Sequence, residues 1–228
     1  MSRSTDRRPI ITQTNPKSPI SEAYRTLRTN VDFSSIDEEL QVVMVTSAGP
    51  GEGKSTTVTN LAVTYAQSER KVLIIDADLR KPTMHHTFVC SNRIGLTTIL
   101  IGKAAWQNAV QETGIPGLEV ITSGPVPPNP SEILASQRMR ELLQELKQHY
   151  DLVLLDTPPA LVVTDAQITA TQSDGILLVL NSGKVKREHA LKAKANLEHV
   201  KGRVLGIVLN NVERKGSDSH YYYYYGSQ

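Results

Sequence analysis

The segment "QVVMVTSAGPGEGKSTT" (41–57) decides the predicted fold. Its first seven residues are mostly apolar and β-branched, a pattern that favours a strand buried on both faces. Residues 48–55 then read A-G-P-G-E-G-K-S, which is the P-loop pattern with Ala48 in place of the usual first glycine. A strand, a glycine-rich loop and a helix in this order predict a phosphate-binding site. The loop alone does not name a reaction.

The glycines of this loop matter because backbone N–H groups must close around phosphate oxygens without obstruction by side chains. The start of the following helix adds its positive end. We predict that Lys54 reaches the β- and γ-phosphates of a nucleotide and that the Ser55 hydroxyl holds Mg²⁺. The predicted nucleotide-binding residues are Gly51, Glu52, Gly53, Lys54, Ser55 and Thr56.

Similar runs of apolar, β-branched residues recur along the chain and alternate with helical patterns. This alternation predicts an α/β fold of the P-loop NTPase type, a mostly parallel β-sheet flanked by helices on both faces. The predicted strands are 41–47, 71–78, 150–159, 174–182 and 202–211, with 117–124 as a further candidate, and the predicted helices are 54–68, 131–148, 164–172 and 186–200. We divide the chain into a flexible arm (1–17), a P-loop domain (18–213) and a disordered tail (214–228). A helix is expected to begin near Glu22, with Ser21 as its N-cap.

Composition excludes several classes of protein. The net charge of +2 over 228 residues gives no general electrostatic argument for nucleic acid as a partner. A single cysteine rules out an internal disulfide and suits a reducing compartment. The polar N-terminus does not look like a secretory signal, and no stretch approaches the ~18 apolar residues that span a bilayer. We therefore expect a cytoplasmic protein.

Carboxylates end two of the predicted strands. Asp156 closes "LVLLD", and Asp76 and Asp78 lie two residues apart in "LIIDADLRKP". Residues i and i+2 of an extended chain point to the same side, so Asp76 and Asp78 can face one site. Arg80 beside them could neutralise phosphate charge. The alternative is a set of strand-end caps and turn residues with solvated charges.

The C-terminal segment holds five of the eight tyrosines, Tyr221, Tyr222, Tyr223, Tyr224 and Tyr225. Exposed hydroxyls on a terminus can enter the active site of another molecule, which makes these tyrosines candidate phosphate acceptors only in a chain that also carries kinase-like motifs. The alternative is an adhesive segment that only docks on a partner.

Six stretches together carry a resemblance to a known family. They are "EAYRTLR" (22–28), "PGEGKST" (50–56), "LIIDADLRKP" (73–82), "SGPVPPNPSEIL" (123–134), "LVLLDTPP" (152–159) and the terminal tyrosines. Over residues 18–228 the chain resembles the bacterial P-loop tyrosine kinases in their cytoplasmic Gram-positive form. The resemblance implies an ATP-dependent, non-specific protein-tyrosine kinase that phosphorylates its own tail between subunits. It also implies a role in capsular or extracellular polysaccharide synthesis or export.

The resemblance also implies roles for individual residues. Asp76 would accept the tyrosine proton, with Lys54 and Arg80 as further catalytic groups. Asp78 and Asp156 would bind Mg²⁺ directly or through water. Asn210, at the end of the last predicted strand, would hydrogen-bond adenine, although a structural strand-end asparagine fits that position equally well.

Partners follow from the same resemblance. Glu22, Arg25 and Arg28 would join neighbouring subunits in a closed ring, whereas the simpler explanation is an ion pair within one helix. A transmembrane adaptor on a separate chain would recruit the kinase to the inner face of the membrane, and protein substrates and a tyrosine phosphatase complete the expected partners. The competing function is a partner-regulated ATPase switch of the partitioning or division-site type. Those ATPases carry a lysine where this chain has Gly49, which counts against that alternative.

Overall fold

A computed structural model describes residues 10–34 and 40–213 of the chain. Its centre is a sheet of seven strands in the order β3-β4-β2-β5-β1-β6-β7, in which β3 runs antiparallel to β4 and the other neighbours are parallel. The strands are β1 Val42–Ser47, β2 Val72–Asp76, β3 Val110–Ile115, β4 Leu118–Ile121, β5 Leu152–Asp156, β6 Gly175–Asn181 and β7 Val204–Asn210. The predicted α/β fold with a mostly parallel sheet is confirmed.

Helices cover both faces of this sheet. They are α1 Ile11–Thr14, α2 Pro19–Phe33, α3 Lys54–Ala66, α4 Met84–Thr87, α5 Leu96–Leu100, α6 Pro130–Leu134, α7 Gln137–Leu146, α8 Asp165–Ala170 and α9 Arg187–His199, with a 3₁₀ turn at Trp106–Asn108. Within the described ranges, none of these helices combines the length and apolar character that crossing a bilayer requires.

Strand β1 shows why its sequence is apolar at almost every position. Val43 and Val45 pack with α3 in one core cluster, whereas Val42 and Met44 belong to the cluster on the opposite face, under α7, α8 and α9. A strand buried on both faces cannot alternate apolar and polar residues. Because β1 lies between β5 and β6, the loop after it emerges at the middle of the carboxyl edge, where ligands bind in open α/β sheets.

The first residues of the described chain differ from the predicted flexible arm. Residues 10–17 include helix α1, and the backbone N–H and the hydroxyl of Thr12 both donate to Asn60 Oδ1, at 3.1 and 3.0 Å. Helix α2 begins at Pro19, with Ser18 as its N-cap, so the predicted cap at Ser21 is wrong. Ser21 is instead buried, and its hydroxyl donates to the Asn15 carbonyl at 2.7 Å.

Two further elements differ from the sequence prediction. Strand β3 was not predicted, because this edge strand alternates between exposed and covered residues and contains Gly114 at φ 77°. The predicted helix 131–148 is two helices, α6 and α7. The backbone breaks at Ser136, whose hydroxyl accepts a hydrogen bond from the Met139 N–H at 3.3 Å and caps α7. The predicted tail and its five tyrosines lie outside the described residues.

Candidate active site

The loop between β1 and α3 has the conformation that its glycines predict. Gly51 and Gly53 have φ of 76° and 97°, in the left-handed region that side chains disfavour. The carboxylate of Glu52 turns back inside the loop, where it accepts hydrogen bonds from the N–H groups of Gly49 at 2.7 Å and Ala48 at 3.3 Å. Burial raises the pKa of Glu52. Asn210, at the end of β7, donates to the Glu52 carbonyl at 3.0 Å and ties the loop to the sheet.

Replacing Gly53 with Ala is expected to destabilise the loop more than the same change at Gly51. A Cβ on Gly53 would lie 2.0 Å from Asn210 Nδ2, whereas a Cβ on Gly51 meets nothing within 4 Å. Both variants carry the cost of positive φ, about 1 kcal/mol, and Gly53→Ala adds the clash. Urea unfolding of both single variants and of Gly53→Ala/Asn210→Ala tests this. If the double variant is no more stable than Gly53→Ala, the proposed clash is not the cause.

Lys54, the first residue of α3, lies at the centre of a cluster of acidic groups. Its ammonium group lies 3.0 Å from Asp78 Oδ2 and 3.2 Å from Asp156 Oδ1. The Ser55 hydroxyl donates to the other oxygen of Asp156 at 2.6 Å. Burial lowers the pKa of Lys54, but the two carboxylates outweigh this effect and leave it above its ordinary value. The structure thus brings together Lys54, Ser55, Asp78 and Asp156, which the sequence assigns to one site.

Asp76 lies directly beside this cluster, because β2 and β5 place it opposite Asp156 in register. It is fully buried, and its oxygens accept backbone hydrogen bonds from Asp78 at 3.3 Å and from Thr83 and Met84 at 2.9 Å each. Burial, and after it the charge of Asp156, raises the pKa of Asp76 to about 7. Asp76 therefore both organises the loop after β2 and carries a carboxyl group at the edge of the cluster.

Arg80 has a different set of partners. Its guanidinium donates to both oxygens of Asp165, at 2.9 and 3.0 Å, and to the Ser131 hydroxyl at 3.1 Å. Asp165 is the first residue of α8 and is fully buried, and Ser131 lies in α6. The structure therefore connects Arg80 to two helices rather than to the carboxylates around Lys54. Asp165 was not singled out from the sequence, because it lies 85 residues from Arg80 along the chain.

Removing the Arg80 side chain is expected to lower the free energy of unfolding by about 1–3 kcal/mol, because the buried Asp165 carboxylate loses a bidentate cationic partner. Lys81→Ala, at an exposed neighbouring position, is the matched control and should change stability by less than about 0.5 kcal/mol. Urea unfolding provides the measurement. Equal stability of the two variants would contradict a structural role for Arg80.

The predicted interface residues of α2 make contacts within their own chain. Arg25 forms an ion pair with Glu22 at 2.7 Å, one helical turn away, and also donates to the Pro16 carbonyl. Arg28 donates to the Thr64 carbonyl in α3. The contacts within one chain account for these three residues, and their role between subunits stays a prediction.

Comparisons with known proteins show which family the chain belongs to. A model of the AAA domain family matches residues 40–201. Tyrosine-protein kinase YwqD of Bacillus subtilis is 51% identical over 221 residues, which cover 97% of this chain and 92% of the relative. The chain belongs to the bacterial tyrosine-protein kinase family. The solved kinase domain of the Escherichia coli tyrosine kinase ETK superposes with a TM-score of 0.89 at 39% identity, over 95% of this chain and 85% of that domain.

The cell division ATPase MinD of Pyrococcus furiosus shares the fold at a greater distance. Its structure superposes with a TM-score of 0.67 at 26% identity, over 77% of this chain and 73% of MinD. The two kinases therefore cover a larger share of this chain than this ATPase does, and they do so at higher sequence identity. The predicted kinase family is confirmed, and the competing ATPase function has less support.

Proposed function

We propose that this kinase transfers the γ-phosphoryl group of ATP to tyrosine hydroxyls, beginning with tyrosines 221–225 of a neighbouring copy. The observation that carries the proposal is the position of Lys54 between Asp78 and Asp156 at the end of a P-loop, with Asp76 in register beside them. Phosphoryl transfer depends mainly on positioning and on charge neutralisation, and this cluster offers groups for both.

The oxygen ligands of the cluster fit magnesium. Ser55 Oγ, Asp156 and Asp78 are hard oxygen donors within one small, buried region, and Mg²⁺ binds such donors together with phosphate oxygens. When bound, the ion would neutralise charge on the β- and γ-phosphates. Lys54 supplies positive charge between the same carboxylates in this structure. We expect its ammonium group to move to the phosphates when nucleotide binds, because the ion can take its place beside Asp78 and Asp156.

Tyrosine attack also requires that a proton leave the phenol. The new bond joins the phenolic oxygen to the γ-phosphorus, the bond to the β-phosphate oxygen breaks, and ADP leaves. Asp76 is the proposed proton acceptor, because its carboxyl group lies at the strand end next to Asp156. The Oδ1 atom is the more available of its two oxygens, since it accepts one long hydrogen bond whereas Oδ2 accepts two shorter ones.

Assembly and partners extend this proposal. Glu22, Arg25 and Arg28 would exchange partners across subunits of a ring and bring each tail to the neighbouring site, and Asn210 would contact adenine. A membrane-spanning adaptor would recruit and activate the kinase at the inner face of the membrane, and a tyrosine phosphatase would reverse the modification. The pathway served would be the synthesis or export of capsular or extracellular polysaccharide.

Incubation with γ-labelled ATP and the cytoplasmic tail of the adaptor tests the proposed activity. Label on tyrosines 221–225, absent when all five are replaced by Phe, is the expected result. Release of free phosphate without labelled protein would support the ATPase instead. The absence of both products would indicate a nucleotide-dependent interaction module.

A further inference from the structure

A cavity of about 720 Å³ adjoins the P-loop. It opens between residues 48–52, the loop after β5, the end of β6 and the first turns of α9. Lys54, Asp76, Asp78 and Asp156 do not line it. Gly51 and Glu52, two of the predicted nucleotide-binding residues, do line it, so the cavity adjoins the phosphate-binding loop.

Basic side chains line part of the cavity. Lys184 follows β6, and His189 and Lys192 lie three residues apart on α9, so both project from one side of the helix. All three are exposed, and none forms an ion pair within the described part of the chain. The single acidic residue in the lining, Glu52, has both carboxylate oxygens engaged by backbone N–H groups.

Two further features favour an anionic ligand with an aromatic part. The first turn of α9 has no side-chain cap, so the N–H groups at its start add positive potential beside Lys184, which the negative charge of Glu188 in the same turn partly offsets. Leu161, Val162 and Val185 form an apolar side of the same cavity, and Val162 is 60% exposed.

The C-terminal segment of the chain starts close to this cavity. Asn210 ends β7 and donates to the carbonyl of Glu52, a cavity residue. Fifteen residues follow Glu213 in the sequence, and the eight from there to Tyr221 can span up to about 26–29 Å. Tyrosines 221–225 are therefore within reach of the cavity of their own subunit.

Phosphorylation changes how this segment interacts with positive charge. Unmodified, residues 214–228 carry Arg214, Lys215 and one acid, Asp218, and so have no attraction to a cationic cavity. Each phosphotyrosine adds about −1.5 to −2 charges and three acceptor oxygens to an aromatic ring. An aryl phosphate matches both the lysines and the apolar side of the cavity.

We propose that this cavity binds a phosphotyrosine of the segment 214–228 and so holds the phosphorylated tail on its own subunit. The inference rests on the proposed function in one respect, that the tail tyrosines become phosphorylated. The proposed consequence is regulatory. A phosphorylated tail that is held in this way no longer reaches the acidic cluster of a neighbouring copy. Each subunit therefore stops serving as a substrate of its neighbour once its tail is modified.

A binding measurement with synthetic peptides tests this without any kinase reaction. The protein is the full chain with its five tail tyrosines replaced by Phe, which leaves the cavity without a competing phosphotyrosine. The probes are peptide 214–228 phosphorylated on all five tyrosines, the same peptide unphosphorylated, and inorganic phosphate. We expect the phosphopeptide to bind at least roughly tenfold more tightly than either other probe, since hydrogen bonds to charged groups are worth this much.

Variants of that chain locate the binding site. Lys184→Glu and Lys192→Glu should each weaken phosphopeptide binding roughly tenfold. Lys103→Glu, at an exposed lysine that does not line the cavity, should leave it unchanged, and so should Lys54→Met. If Lys54→Met abolishes phosphopeptide binding and Lys192→Glu leaves it intact, the phosphate binds in the P-loop and the proposal is overturned. Equal affinity for the phosphopeptide and for either other probe would also overturn it. Because the peptide is phosphorylated by synthesis, these outcomes are independent of whether the protein is a kinase.

Discussion

Replacing Lys54 with Met is expected to lower the rate of tail phosphorylation by about a hundredfold or more. Lys54 supplies a buried positive charge between Asp78 and Asp156. Loss of one preorganised group that stabilises developing charge costs about 10²–10³ in rate. The γ-phosphoryl group would also lose the cation that reaches it. Initial rates of label transfer from γ-labelled ATP, at saturating nucleotide, measure the effect.

Lys103→Met is the matched control, because it removes an exposed lysine whose side chain lies outside the cluster. Its transfer rate should stay within twofold of the unmodified chain. Circular dichroism of both variants shows whether the fold is kept. A folded Lys54→Met protein that transfers phosphate at the unmodified rate would mean that the reaction takes place elsewhere.

Replacing Asp76 with Asn should slow transfer to tyrosine by about 10²–10⁴-fold, the usual contribution of a general base. Asn keeps the shape of the side chain and one oxygen for the N–H groups of Thr83 and Met84. ATP binding should change less than transfer, because Asp76 forms no hydrogen bond with Lys54 or Ser55 and acts on Lys54 only through its charge. Transfer to an acceptor peptide of sequence 214–228 provides the rate.

A second acceptor separates proton transfer from a structural role of Asp76. A tetrafluorotyrosine peptide has a much more acidic phenol and needs less help in losing its proton. If Asp76 accepts the proton, Asp76→Asn should reduce transfer to this peptide far less than transfer to the tyrosine peptide. An equal loss for both acceptors, together with lower stability in urea, would instead show that Asp76 serves to organise the loop after β2.

Four of the strands that the sequence predicted share one physical property. The parallel strands β1, β2, β5 and β6 are buried on both faces, and such strands appear as unbroken apolar runs. The position of the candidate site could be predicted from the same strands. Its groups follow directly on those strands, and the carboxyl ends of parallel strands converge on one edge of the sheet.

The features that were missed depend on contacts between distant parts of the chain. Helix α1 is held in place through Asn60, which is 48 residues from Thr12. The partner of Arg80 is 85 residues away, so the sequence suggested only that Arg80 neutralises phosphate charge. The edge strand β3 alternates between exposed and buried residues, so it lacks the unbroken apolar run of the central strands. Each of these outcomes is decided by tertiary packing, which local patterns do not encode.

A mixing experiment tests the central claim, that the site around Lys54 phosphorylates tyrosines of another copy. One chain carries Lys54→Met with its tail intact, and the other carries an intact site with all five tail tyrosines replaced by Phe. Neither chain alone should incorporate label from γ-labelled ATP, whereas the mixture should label tyrosines 221–225 of the Lys54→Met chain. A mixture that releases phosphate and leaves those tyrosines unlabelled would contradict the account.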